Sequence, residues 1–166
     1  MKQYGEAVVT EGRSPPHRRN ASRSRMTAMT SEEVRSFLSS GTRTGKVATV
    51  RNDGSAHVAP VWFLLDGDTI VFTTGAETLK GRNLRRDPRT SMCVDDERPP
   101  YAFVVIRGTA TLTHDGDEVL RWATRLGARY MGTERAHEFG RRNAVPGEML
   151  VRITPARVIA ERELAD

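Results

Sequence analysis

The chain has 166 residues, 37% hydrophobic and 28% charged, enough for one domain with its own core, and no apolar run approaches the roughly 18 residues of a membrane helix. A single cysteine, Cys93, excludes an internal disulfide and a cysteine-based metal cage, and fits a reducing cytoplasm. The formal charge of +5 raises nucleic acid as a partner, but residues 1–25 carry six basic and two acidic side chains against 20 and 19 in the remainder, so the excess belongs to a tail and no nucleic-acid face is expected.

Residues 1–25 are polar, without period, and include Ser14-Pro15-Pro16-His17-Arg18-Arg19 and Ser22-Arg23-Ser24-Arg25. The expectation is a disordered basic extension over 1–29, without the apolar stretch of a secretory signal. Met26 and Met29 are alternative starting points for the chain. A folded domain is expected over 30–166. Thr30-Ser31-Glu32-Glu33 reads as a capping box, with Val34, Phe37 and Leu38 on one helical face and Gly41 ending the helix.

Strand signals follow. Thr44–Arg51 is rich in β-branched residues and leads into the turn Asn52-Asp53-Gly54. His57–Leu65 reads as a second strand in which Pro60 marks an edge, a bulge or a split. Asp66-Gly67-Asp68 turns into a third, Thr69–Thr74. That order is an antiparallel meander, and closure into a barrel would remove its free edges. A short helix from about Glu77 to Arg86 ends at Asp87-Pro88. Strands are then expected over Thr90–Val94 and Tyr101–Thr113, separated by a charged loop. A helix over Asp117–Arg129 extends brokenly towards His137. A last strand over Glu148–Glu163 carries a bulge at Pro155. The fold class is mainly β (α+β), with about six antiparallel strands and short flanking helices.

The segment with most chemistry is Thr73 to Arg89. Two hydroxyls end a strand, Gly75 turns, and a helix begins whose free N–H groups and dipole favour an anion. Lys80 sits in its first turn. Arg82, Arg85, Arg86 and Arg89 follow, so that Lys80–Arg89 carries a net charge of +4, the densest basic cluster of the domain. Lysine and arginine both suit phosphate or carboxylate. A solvated helix face is the competing reading of such a charge run.

The pattern Gly45-Lys46-Val47-Ala48-Thr49-Val50, Asn52-Asp53-Gly54, Thr73-Thr74, Lys80-Gly81-Arg82-Asn83-Leu84, Asp87-Pro88-Arg89 and Val105-Ile106-Arg107-Gly108-Thr109-Ala110 resembles the pyridoxamine 5′-phosphate oxidase-like split β-barrel superfamily. Within it the run Asn83 to Arg89 is most similar to deazaflavin (coenzyme F420)-dependent reductases of actinobacteria. The resemblance covers roughly residues 30–163.

It implies a six-stranded or so split β-barrel, and a homodimer with cofactor sites at the subunit interface. It implies an oxidoreductase passing a hydride from reduced coenzyme F420 to a small organic acceptor. Lys80 corresponds to the lysine that grips the cofactor phosphate, and Thr73 to the hydroxyl beside it. Arg82, Asn83, Arg85 and Arg86 would meet the phosphate or the anionic tail. His57 to Trp62 correspond to the strand along the ring, with backbone groups of Ala59, Pro60 and Val61 on its polar edge. Tyr101 corresponds to a position lining the pocket, from this subunit or its partner. The C-terminal Ala156–Asp166 lacks the arginine-x-histidine pattern of true pyridoxamine-phosphate oxidases, which argues against that reaction.

Two alternatives stand beside this. One keeps the fold with FMN as cofactor, giving an oxidase or a flavin reductase. The other is a non-catalytic protein that binds and stores the cofactor or a hydrophobic metabolite. His17, His114 and His137 have no ligand spacing, so no metal site is expected, and no serine, histidine and carboxylate arrangement names a catalytic residue. Trp62, Trp122 and Tyr130 read as packing aromatics, and Cys93 as a buried small hydrophobe.

Overall fold

Thr30 fixes where the first helix begins. In the computed structural model, which describes residues 27–165, the Thr30 hydroxyl accepts from the Glu33 N–H (3.2 Å) and the Glu33 carboxylate accepts from the Thr30 N–H (2.7 Å). This capping box opens α1 (Ser31–Ser39). Leu38 is buried, with Val34 and Phe37 packed beside it against the main core.

The strands are β1 (Thr27–Ala28), β2 (Gly45–Val50), β3 (Ala56–Val61), β4 (Leu64–Asp66), β5 (Thr69–Gly75), β6 (Arg89–Asp96), β7 (Ala102–Thr113) and β8 (Glu148–Arg162). All pair antiparallel in the order β3-β2-β6-β7-β8-β5-β4, with β1 added beside β8. The eight exceed the six expected because two short strands escape sequence patterning. Residues 27–29, expected to belong to the extension over 1–29, are attached to the sheet. Thr27 and Ala28 pair with Arg162 and Glu161, and the Met29 N–H bonds to Ala160. Residues 1–26 and the expectations placed on them lie outside the described residues.

The expected meander does not form. β2 and β3 make a hairpin around Gly54, whose φ of +83° is the left-handed conformation that glycine adopts freely. The presumed second strand then breaks at Trp62-Phe63, not at Pro60. β3 lies at one end of the path and β4 at the other. Since two residues join these end strands, the sheet must curl until its edges approach, which makes a barrel split along that seam. Phe63 points inward with no exposed surface. Pro60 lies on the edge strand, where one ladder neighbour suffices.

Phe63, Phe72, Ile70, Met92, Ile106, Met149 and Ile153 fill the interior. Opposite Pro155, β8 carries one extra residue against β7, since Arg107 pairs with Arg157 and Gly108 with Pro155. Three further helices are α2 (Leu79–Arg86), which follows β5, and α3 (Gly116–Met131) and α4 (Ala136–Arg142), which come between β7 and β8 in the chain and pack on each other. The broken helical segment thus runs to Arg142, beyond His137. A second core cluster of Val71, Val119, Trp122 and Leu150 joins α3 to the outer face of β5 and β8.

One surface pairing gives an expected pH response. Arg43 donates to Asp96 (2.5 Å) and Arg98 also bonds it, holding the Asp96 carboxyl down at about 2. A carboxyl lowered in the folded state adds stability above its unfolded value, roughly 3.9, and loses it as pH falls through about 2. Denaturant midpoints of the native protein and of Asp96→Asn should therefore differ at pH 6 and converge near pH 2.

Candidate functional site

β5 ends at Gly75, and its neighbour β8 begins directly opposite, with Gly75 paired to Glu148 and Thr73 to Leu150. Side chains alternate along a strand, so Thr73 and Glu148 share the outer face with Val71 and Leu150, beneath α3. Thr74 turns to the other face. Its hydroxyl lies 3.1 Å from that of Thr78. The Thr78 hydroxyl donates to the Gly75 carbonyl (2.7 Å) and accepts from the Gly81 N–H (3.1 Å), so in the threonine pair Thr74 is the donor. Thr78 is thus the N-cap of α2, whose first helical residue, Leu79, comes two residues later than the start expected from sequence. Gly81 seats this helix on the strand end. A Cβ there would stand 2.3 Å from the Gly75 carbonyl oxygen, so only glycine allows the approach.

These elements enclose a pocket of about 310 Å³ lined by Pro60, Val61, Trp62, Thr73, Thr74, Gly75, Thr78, Lys80, Leu126, Asn143 and Glu148. Lys80 is half-buried, and burial lowers its ammonium below the usual lysine value, with Glu148 opposing that shift. Burial likewise raises the Glu148 carboxyl, and Lys80 draws it back. Among the described residues neither the Lys80 ammonium nor the Thr73 hydroxyl makes a hydrogen bond or ion pair, so both are available to a ligand.

Trp62 forms one wall. It stacks on Tyr130 with ring centroids 4.9 Å apart and planes 1° from parallel, and meets Phe139 at 5.9 Å. The Tyr130 hydroxyl accepts from the Phe63 N–H (3.2 Å) and donates to the Arg43 carbonyl (2.8 Å). Arg129 donates to the carbonyls of Phe63 (2.9 Å), Leu38 (2.7 Å) and Gly41 (3.0 Å). α3 therefore clamps the seam that carries Trp62.

The structure brings Pro60, Val61, Thr73 and Lys80 together and sets the other expected site residues apart. Arg82, Arg85 and Arg86 are exposed. Arg82 donates to the Glu77 carbonyl, Arg85 to the Glu77 carboxylate (2.9 Å), and Arg86 to the Val50 carbonyl. Asn83 is 2% exposed and bonds the Thr49 hydroxyl (3.0 Å), so it ties α2 to β2. Helical periodicity explains the division. Positions 80, 83 and 84 face the barrel, and 82, 85 and 86 face away. Counting charge along the sequence merged the two faces.

His57 and Ala59 lie on β3 outside the pocket lining. Tyr101, with φ +57°, lines a separate surface hollow with Arg98, Pro99, Arg162 and Glu163. Cys93 is half-buried, since it alternates with the buried Met92 and Val94; burial raises its thiol, with Asp95 adding and Lys46 opposing.

Sequence reasoning missed Glu148, Leu126 and Asn143. Glu148 carried a signal, as the first residue of the closing strand, but its partner strand was not identified. Among the described residues no group of three or more His, Cys, Asp and Glu side chains is placed to hold a metal ion, and no helix is long and apolar enough to cross a membrane.

The family model described as pyridoxamine 5′-phosphate oxidase matches residues 30–161. Solved structures share the fold. A conserved hypothetical protein from Mycobacterium tuberculosis is 26% identical, with 87% of this chain and 91% of that one aligned at a TM-score of 0.72. An F420 reductase is 25% identical over 74% of this chain and 93% of its own, at 0.59. A putative pyridoxamine 5′-phosphate oxidase from Listeria innocua is 23% identical over 77% and 95%, at 0.60.

Proposed function

This chain belongs to the pyridoxamine 5′-phosphate oxidase family, and from that premise we propose that it is an oxidoreductase holding the phosphate of a flavin-type cofactor at Lys80. The observation that carries this is Lys80 itself: a half-buried cation without a protein partner among the described residues. It stands beside the unbonded Thr73 hydroxyl and the first turn of α2. β3, an edge strand paired on one side, leads into the pocket at Pro60 and Val61 and leaves backbone groups free for a ring edge.

Hydride transfer is the chemistry such a cofactor supplies when bound. The residues of this chain bind and orient it. Lys80 and Thr73 hold the phosphate, the β3 backbone at Ala59, Pro60 and Val61 takes the polar edge of the ring, and Trp62 and Leu126 exclude water. On this reading a second copy of the chain would cover the open edge of β3, and His57 and Tyr101, from this subunit or its partner, would meet the ring there.

Coenzyme F420 is the cofactor we favour, with a small organic molecule as hydride acceptor. The 25% identity to an F420 reductase over most of that protein supports it. Arg82 and Arg85 line the exit of α2, and their pairing with Glu77 is exposed and therefore cheap to exchange for an anionic tail. FMN is the second reading, favoured by the presence of a single cation, Lys80, in the pocket wall. Titration of the full chain with F420 and with FMN, read by fluorescence quenching, separates them. F420 should bind at least tenfold more tightly, and reduced F420 should be reoxidised in the presence of an acceptor panel. Tighter FMN binding with no turnover of reduced F420 would discard the F420 assignment.

A further inference from the structure

The pocket that holds Lys80 also holds a carboxylate. Glu148 opens β8 opposite Gly75, and its Oε1 lies 3.2 Å from where a Cβ on Gly75 would stand. Lys80 and Glu148 are the two charged side chains in the wall, and among the described residues they form no ion pair with each other. Among the described residues, Lys80 is the charged group that acts on the Glu148 carboxyl, drawing it down against the effect of burial.

A bare anion entering this space meets attraction from one group and repulsion from the other. An ammonium has donors and no acceptor, and a carboxylate the reverse. A ligand that satisfies both must present an anion and, beside it, a hydroxyl donor. We propose that Glu148 is the specificity-determining residue of this pocket, accepting a hydrogen bond from a hydroxyl of a hydroxylated phosphate ester whose phosphate lies on Lys80, and turning away small anions that lack such a hydroxyl. This rests on the assignment of Lys80 to the cofactor phosphate.

The alternation of β8 supports it. Glu148 shares its face with Leu150, which is buried under α3, so the side chain is directed along the covered outer face where Thr73 also lies. The nearby hydroxyls do not serve it. Thr78 gives its proton to the Gly75 carbonyl and Thr74 gives its proton to Thr78. Glu148 is half-buried, a partly desolvated carboxylate left without a protein donor is unfavourable, and a ligand hydroxyl would relieve that.

The test uses the full chain, with FMN as the hydroxylated ester and inorganic phosphate as the bare anion, each measured by titration and competition. Glu148→Gln should raise phosphate affinity about tenfold, because a like charge is removed at short range. It should leave FMN affinity within about threefold, because the amide oxygen still accepts. Glu148→Ala should raise phosphate affinity to a similar extent and weaken FMN by roughly tenfold. Parallel changes for the two ligands, or phosphate affinity unmoved in both variants, would overturn the proposal.

A Lys80→Ala control tells this failure from that of the underlying assignment. If that variant weakens both ligands while the Glu148 variants do not separate them, Glu148 alone is misassigned. If it weakens neither, the pocket is not the phosphate site and both readings fall. Far-ultraviolet circular dichroism of each variant shows whether the fold is kept, and Glu148→Gln preserves the side-chain shape.

Discussion

Replacing Lys80 by alanine is expected to weaken cofactor binding about 10- to 150-fold, the loss of a charge-assisted contact of roughly 1.5–3 kcal/mol. The upper part of that range follows from its surroundings. Lys80 is half-buried between α2 and the outer face of β5, where water screens it less than it would a surface lysine. No neighbouring cation lines the pocket to replace it, because Arg82, Arg85 and Arg86 leave the helix on its opposite face. Lys80→Arg should recover only part of the loss, since a planar guanidinium presents its donors in a different geometry from a compact ammonium. Equilibrium titration of the cofactor against both variants is the measurement. Unchanged affinity in Lys80→Ala would remove the assignment.

The second large effect concerns stability. Phe63→Ala should cost about 3–5 kcal/mol, the range for emptying a fully buried phenylalanine site, against a typical total of about 5–15 kcal/mol for a domain. Phe63 is wholly buried and lies in the two-residue link between the end strands of the sheet. Its N–H bonds Tyr130 and its carbonyl bonds Arg129, so the backbone is held by α3 and cannot easily collapse into the vacated space. The Arg129 guanidinium, 4.9 Å from the ring centroid, would lose that contact as well. Guanidinium denaturation of the two proteins gives the difference. A loss below 1 kcal/mol would show that the seam tolerates repacking.

The local elements were legible in the sequence because their causes are local. The capping box at Thr30, the turn at Gly54 and the stop at Asp87-Pro88 each rest on side chains and backbone conformations a few residues apart. The bulge at Pro155 was legible for the same reason. The order of strands was not. The sequence around Trp62 gives no turn signal, and the break there follows from closure of the barrel, with Phe63 drawn inward and Trp62 outward onto Tyr130.

The site divides in the same manner. Lys80 and Thr73 stood out because a strand end, a turn and a helix start occur in succession. The arginines merged with Lys80 into one cluster because charge was summed along the chain and not around the helix, which turns Arg82, Arg85 and Arg86 away from the pocket wall. Glu148 could not be placed without knowing that the last strand pairs with β5.

That pairing also sets when the pocket comes into being. Thr73, Thr78 and Lys80 are made well before Glu148, which opens the last strand, and α3 and α4 lie between them. Contacts between such distant parts of a chain are slow to close. On the ribosome the first wall of the pocket emerges long before the second, and a chain stopped before β8 presents Lys80 on α2 beside a β5 end that lacks its β8 partner. A ligand that needs both Lys80 and Glu148, as proposed, would therefore recognise only the finished protein and offer no help to the early folding chain.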